Sequence, residues 1–192
     1  MKIVFKIFAF ILFFLLISLT YLSTIGFETD RFNNVIENRI KNIDNNTQIQ
    51  LKKIKLVLNP FKLKLNVKTV GPKLKNQNGT IEIESLKAQI FLKTLVEKKF
   101  SIENLEVSTR SLEIKKLISF IRSFRNVPEL YFLDKIIKKG YLIADIKLEF
   151  DSLGKIKDNY KINGFIKDIE LSLLKKYYFK KTNLIFDYKK ND

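Results

Sequence analysis

The sequence predicts an α+β protein, mainly β: an N-terminal transmembrane helix, then a long, curved, groove-like antiparallel β-sheet with about three short amphipathic helices. Three observations lead there. Ile7–Leu22 carries no charge, and twelve of its sixteen residues are Ile, Leu or Phe. From Thr47 onward apolar and charged residues alternate in long runs, the period of a half-buried strand. These runs succeed one another across turn signals with a single helical interruption, the order of an antiparallel meander.

The apolar run reads as a membrane span. Ile3 to Ile25 makes ~35 Å of helix, enough for a hydrocarbon core of about 30 Å, with Lys6 snorkelling to the headgroups. Its apolar residues favour insertion by roughly 5 kcal/mol. The rival reading is a cleaved signal peptide with Lys2 and Lys6 as its n-region, but the h-region is long and no A-x-A-like site comes after it. An uncleaved signal anchor is preferred. Lys2 and Lys6 precede the helix, whereas Glu28 and Asp30 come after it. Positive-inside bias therefore makes 1–26 a cytoplasmic tip plus anchor and puts 27–192 across the membrane as one domain.

Within that domain, Thr29 and Asp30 offer N-caps to a helix over 30–43, with Phe32, Val35, Ile36, Ile40 and Ile43 at helical spacing. Its apolar stripe packs on the domain or rests on the membrane surface. Strands are expected over 47–108. Ile49 and Leu51 alternate, Lys52-Lys53 shift the phase by one as a bulge does, and Ile54, Leu56 and Leu58 resume. Pro60 breaks that run. Phe61, Leu63, Leu65 and Val67 then alternate with lysines and an asparagine until Gly71-Pro72. Asn78-Gly79 signals a hairpin into Thr80–Leu92, which carries Ile81 and Ile83, and a strand over 100–108 comes next.

A helix pair is expected over 113–138. Ile114, Leu117, Ile118 and Ile121 share a face flanked by Phe120 and Phe124. Pro128 opens the second helix, with Leu130, Leu133, Ile136 and Ile137 inward and Gly140 as its stop. Strands return over 140–188: Leu142 to Phe150, a turn at Ser152–Lys155, a partner strand over 156–173 kinked near Gly164, and a last strand over 182–188. Several runs reach ~10–13 residues, against the usual 5–6.

Composition removes most catalytic chemistries. The chain has no His and no Cys, so it lacks a Ser-His-Asp triad, a thiol nucleophile, and the usual zinc, haem or iron–sulfur ligands. Neither GxGxxG nor GxxxxGK[ST] occurs. No cofactor, metal or catalytic residue is expected, and the chain is read as not an enzyme. Glu82 with Glu84, and Asp168 with Glu170, are carboxylate pairs on single strands that read as solvated faces. The formal charge of +16 also fits a Lys- and Asn-rich composition of the kind AT-rich genes produce. Between Leu51 and Asn78 lie eight lysines and no acid. Lys52, Lys53, Lys62, Lys64 and Lys68 are the candidates for a basic face toward anionic headgroups, against the plain reading of a polar sheet face. Lys175–Lys181 is a basic–aromatic cluster, read as a turn and strand start or as an interfacial patch. Nucleic acid is not expected, because Arg, the usual base reader, is sparse.

The apolar faces either close into a core or leave a trough that acyl chains complete. The anchor, the stretch Gly26, Thr29, Asp30, Phe32, Asn33 and Asn34, and the Lys-rich alternating strands resemble the AsmA-like proteins of Gram-negative bacteria, which include TamB- and YhdP-type members. Leu86–Leu92 with Phe100–Val107 after it is similar to the amino-terminal module shared with chorein-type lipid-transfer proteins. The resemblance implies an inner-membrane, single-pass protein with its bulk in the periplasm, binding phospholipid in an apolar β-groove and serving phospholipid transport or outer-membrane assembly. It implies a groove lining of Ile54, Leu56, Phe61, Leu63, Leu65, Ile81, Ile83, Ile146, Leu148 and Phe150. The chain is much shorter than typical members, which reads as an N-terminal fragment or truncated form. The alternative is an anchored structural or assembly factor with a closed β core that binds an envelope protein.

Overall fold

The computed structural model describes residues 2–43, 46–93, 102–123, 127–151, 155–174 and 176–190. Helix α1 (Lys2–Thr24) has no buried residue and is long and apolar enough to span a membrane. Its late hydroxyls fold back on the helix. Thr20 Oγ1 donates to Leu16 O at 2.8 Å, Ser23 Oγ to Leu19 O at 2.7 Å and Thr24 Oγ1 to Thr20 O at 2.8 Å, which hides polar groups from an apolar solvent. Gly26 ends the helix at φ +70°, and a Cβ there would overlap Leu56 O.

Past the helix the chain forms an open antiparallel sheet. Its strands are β1 (Phe27–Thr29), β2 (Gln48–Gln50), β3 (Ile54–Asn59), β4 (Lys64–Val70), β5 (Lys73–Asn76), β6 (Gly79–Phe91), β7 (Ile102–Thr109), β8 (Leu112–Glu113), β9 (Ile137–Glu149), β10 (Lys161–Leu173) and β11 (Tyr177–Lys189). The main order is β1-β3-β4-β6-β7-β9-β10-β11; β2 pairs with β5, β5 with β6, and β8 with β9. Eight strands at ~4.8 Å spacing make it roughly 34 Å wide. Three short helices lie wholly within the described residues: α2 (Asn33–Ile43), α3 (Ile114–Arg122) and α4 (Pro128–Ile136).

Ten of the eleven strands, all but β1, trace seven long paths, and each of these changes side-chain phase along one oblique crease. The slip at Lys52-Lys53 separates β2 from β3. Opposite it, Gly71, at φ +65°, and Pro72 separate β4 from β5, with Gly71 N donating to Glu84 O and Ile83 N to Pro72 O. The crease continues as register shifts at Ile83/Ser85 against β7, at Lys167/Glu170 against β9 and at Ile166/Ile169 against β11. Asp168 and Lys181, both at φ 52°, lie on it. The apolar parity thus changes from Leu65 and Val67 to Leu74, from Ala88 and Ile90 to Ile81 and Ile83, and from Ile162 and Ile166 to Ile169 and Leu171. One apolar face survives the flip, divided into a long limb (β3, β4, β7 and the adjoining parts of β6, β9, β10 and β11) and a short limb beyond the crease.

The helices cap the short limb. Ile114 and Ile118 of α3 pack with Ile137 and Ile169, joined by Leu130 and Ile136 of α4, while Phe120 packs with Ile81 and Ile83. Side-chain amides fasten α3 to the β5–β6 turn: Asn76 Nδ2 donates to Ser123 Oγ at 2.6 Å and Asn78 Nδ2 to Ser119 O at 3.0 Å. Arg122 and Asp134 join the two helices at 3.1 Å. At the other end of β2, Asn33 Nδ2 donates to Leu51 O and Lys52 O, covering carbonyls that the slip takes off the ladder.

Several boundaries differ from the sequence reading. The β3–β4 turn is closed by the Asn59↔Lys64 pair, so Phe61 and Leu63 lie at a hairpin tip rather than in a strand. The next hairpin loop is Gln77-Asn78, closed by Asn76↔Gly79. Helix α4 stops at Ile136, and Gly140 lies inside β9, against Ile114 and Ile169. β10 does not kink at Gly164, where a Cβ would overlap the Phe186 ring; its shift falls at Lys167–Glu170 instead. β11 starts at Tyr177, which draws most of the basic–aromatic cluster into a strand. Ile121 and Leu133 are exposed. The expected features at Phe100, Phe124, 152–154 and Lys175, and the side chains of Val35, Ile40 and Ile43, lie outside the described residues.

Candidate lipid-facing trough and basic face

The two limbs treat their apolar residues differently. On the short limb α3 seals Ile81 and Ile83. On the long limb α3 and α4 reach only the border, where Leu86, Val107, Leu142 and Ile166 join the two clusters. Beyond it, cross-strand pairing sets Leu56, Val67, Ala88, Leu105 and Leu148 in one row, and the four from Val67 onward are half-buried. A neighbouring row places Val107, Ile146 and Ile162 side by side, again half-buried.

The expected lining therefore divides into three. Ile54, at 1% exposure, Leu56, Ile81 and Ile83 are closed off by the protein itself. Phe61, at 98%, and Leu63, at 64%, project at the β3–β4 tip. Leu65, Ile146, Leu148 and Phe150 remain half-buried on the long limb, and only these four stay with the trough. Val67, Ala88, Leu105 and Ile162 join them. The sequence carried their alternation, but their common row needs the register. Total accessible surface is 14205 Å² for 22.6 kDa, against about 9,500 Å² for a globular chain of that mass. Helix α1, none of whose residues is buried, contributes to the difference.

The opposite face is ionic. At one level across the sheet the register aligns Glu28, Lys55, Lys68, Lys87, Glu106, Lys147, Lys161 and Lys189. Glu106 stands between Lys87 at 3.8 Å and Lys147 at 3.6 Å, and Asp187 lies 3.7 Å from Lys161. Two hollows open on this face. One of ≈480 Å³ is lined by Glu28, Lys52, Lys53, Lys55, Lys68 and Val70, and the other, of ≈430 Å³, lies between Lys55 and Lys147. Of the expected basic residues, Lys52, Lys53 and Lys68 line the first hollow. Lys62 sits at the hairpin tip. Lys64 is engaged elsewhere, 2.6 Å from Glu103 and over the Phe91 ring at 4.9 Å. Lys55, from the Leu51–Asn78 stretch, also belongs to the face, as do Lys87 and Lys147, which escaped the sequence reading.

Glu82 points outward and lies 3.2 Å from Lys73, whose hydrogen bond and charge hold its carboxyl below the ordinary value. Glu84 is exposed, and Asp168 lies at the β10 bulge. Among the described residues no group of three or more His, Cys, Asp or Glu is placed to hold a metal ion. No protein-family model, curated protein or solved structure matches the chain.

Proposed function

We propose that this chain is a membrane-anchored, AsmA-like protein whose open sheet holds lipid acyl chains against the long limb. α1 serves as a single-pass inner-membrane anchor, the sheet lies in the periplasm, and the task is phospholipid transport or outer-membrane assembly rather than catalysis. One observation carries this reading: among the described residues the apolar face is capped by helices at one end, while rows of Leu, Val, Ala and Ile at the other are half-buried. In water such rows favour a partner by about 25 cal/mol per Å² buried, and acyl chains supply a partner of matching chemistry.

The test is site-specific photocrosslinking in intact membranes from Leu148, with Ile118 and Glu106 as controls. Lipid adducts at Leu148 alone are expected. Adducts from Leu148 only to neighbouring protein residues would overturn the reading. A second reading, an anchored assembly factor that binds an envelope protein, draws support from Ile54, Leu56, Ile81 and Ile83 being sealed and from the thirteen-residue strand β11, which among the described residues pairs with β10 alone. Adducts from Leu148 to another polypeptide would favour it.

A further inference from the structure

We propose that the hollow between β1, β3 and β4 is a binding site for the phosphate-bearing headgroups of acidic lipids in the bilayer that holds α1. Lys55 and Lys68 are direct cross-strand partners, as are Lys68 and Lys87. Like charges set opposite one another destabilise a sheet, and among the described residues neither Lys55 nor Lys68 has a carboxylate within ion-pair reach. Lys52 and Lys53 complete the rim. Glu28 is the single acid, 3.9 Å from Lys53, so four cations face one anion.

The position selects the ligand's source. Gly26, two residues past the end of α1, packs on Leu56 O and on the Val57 side chain, and Glu28 pairs with Lys55. The hollow therefore begins within two residues of the point where the anchor meets β3. A span seated in a bilayer delivers these lysines to its headgroup layer, where each Lys near an anionic surface gains about fivefold in binding. This inference rests on α1 spanning a membrane and is independent of acyl chains in the trough, since the two sites occupy opposite faces.

The full chain is reconstituted in nanodiscs of phosphatidylcholine, with or without phosphatidylglycerol, and its lysines are acetylated with a water-soluble reagent and read by mass spectrometry. With phosphatidylglycerol, Lys52, Lys53, Lys55 and Lys68 are expected to react about fivefold more slowly, while Lys155 and Lys180 are unchanged. Raising the salt concentration should erase the protection. Equal rates in the two nanodiscs overturn the proposal. Equal protection by inorganic phosphate on phosphatidylcholine nanodiscs also overturns it, in favour of a free-anion site. Glu28→Gln removes only the counter-charge and should deepen the protection; Lys55→Glu with Lys68→Glu should abolish it at Lys52 and Lys53. The Leu148 crosslinks stand or fall without reference to these rates.

Discussion

The long and short limbs run along the same strand paths and carry the same kinds of side chain, yet among the described residues the helix pair α3–α4 caps only the short limb, and on the long limb burial is confined to positions such as Ile54, Leu56 and Ile90. On the short limb, α3 sets Ile114, Ile118 and Phe120 on the sheet within a few residues of the crease. The long limb has Val67, Ala88, Leu105 and Leu148 in register and half-buried. An amphipathic sheet does not dictate its own cover. The crease, by reversing the phase along each of the seven long paths, keeps both limbs apolar on one side while making the cover a local matter.

Core truncation tests this contrast with the largest expected effect. Ile118→Ala should cost about 2–5 kcal/mol of unfolding free energy, as a sealed core position does. Leu148→Ala removes a side chain that is already half in solvent and should cost about 1 kcal/mol. Chemical denaturation of the full chain in detergent measures both. Equal losses would mean that the long limb is as well covered as the short one, and the contrast would fail.

The joint between anchor and sheet ranks second. Gly26→Ala places a methyl group on Leu56 O at a positive φ, which should cost about 1–3 kcal/mol. The loss should appear as faster proteolysis around 25–30 in nanodiscs while the short limb keeps its stability. Asn76→Ala probes the opposite end. It removes the donor to Ser123 Oγ and should cost about 1 kcal/mol, read as faster amide exchange in α3. If Asn76→Ala loosened the long limb as well, the two limbs would be one cooperative unit.

The fold class was legible because strict alternation over ten or more residues suits a half-buried strand and little else. The slip at Lys52-Lys53 was legible too, since apolar runs stand close on both sides. The same flip at Gly71-Pro72, Glu84-Ser85 and Asp168 hides in residues that also read as turns or polar faces, so the crease emerges only when seven strands are laid side by side. Phe61 and Leu63 misled because the parity of Leu65 and Val67 runs backward through the turn, while the Asn59↔Lys64 pair decides where the strand begins. The lysine row was beyond reach for the same reason. Lys55, Lys87 and Lys147 are far apart in the chain and meet only through register. The sealing of Ile81 and Ile83 depends on where a helix thirty residues later lands.

The smallest effects contrast the limbs by pH. On the short limb, Lys73 holds the Glu82 carboxyl below its ordinary 4.5. The stability this gives is present above that value and is lost as pH falls through the lower folded value. On the long limb, Asp158 lies 2.6 Å from Lys190 and holds the ammonium above its ordinary 10.5, with stability present below that value and lost as pH rises through the higher folded one. Both pairs face solvent, which screens them. Glu82→Gln should therefore slightly flatten the acid limb of the melting temperature against pH, and Asp158→Asn the alkaline limb. Each variant should leave the other limb of the curve in place. If Glu82→Gln altered the alkaline side, the pair would be coupled to groups across the crease, and the separation of the two halves of the sheet would not extend to their charges.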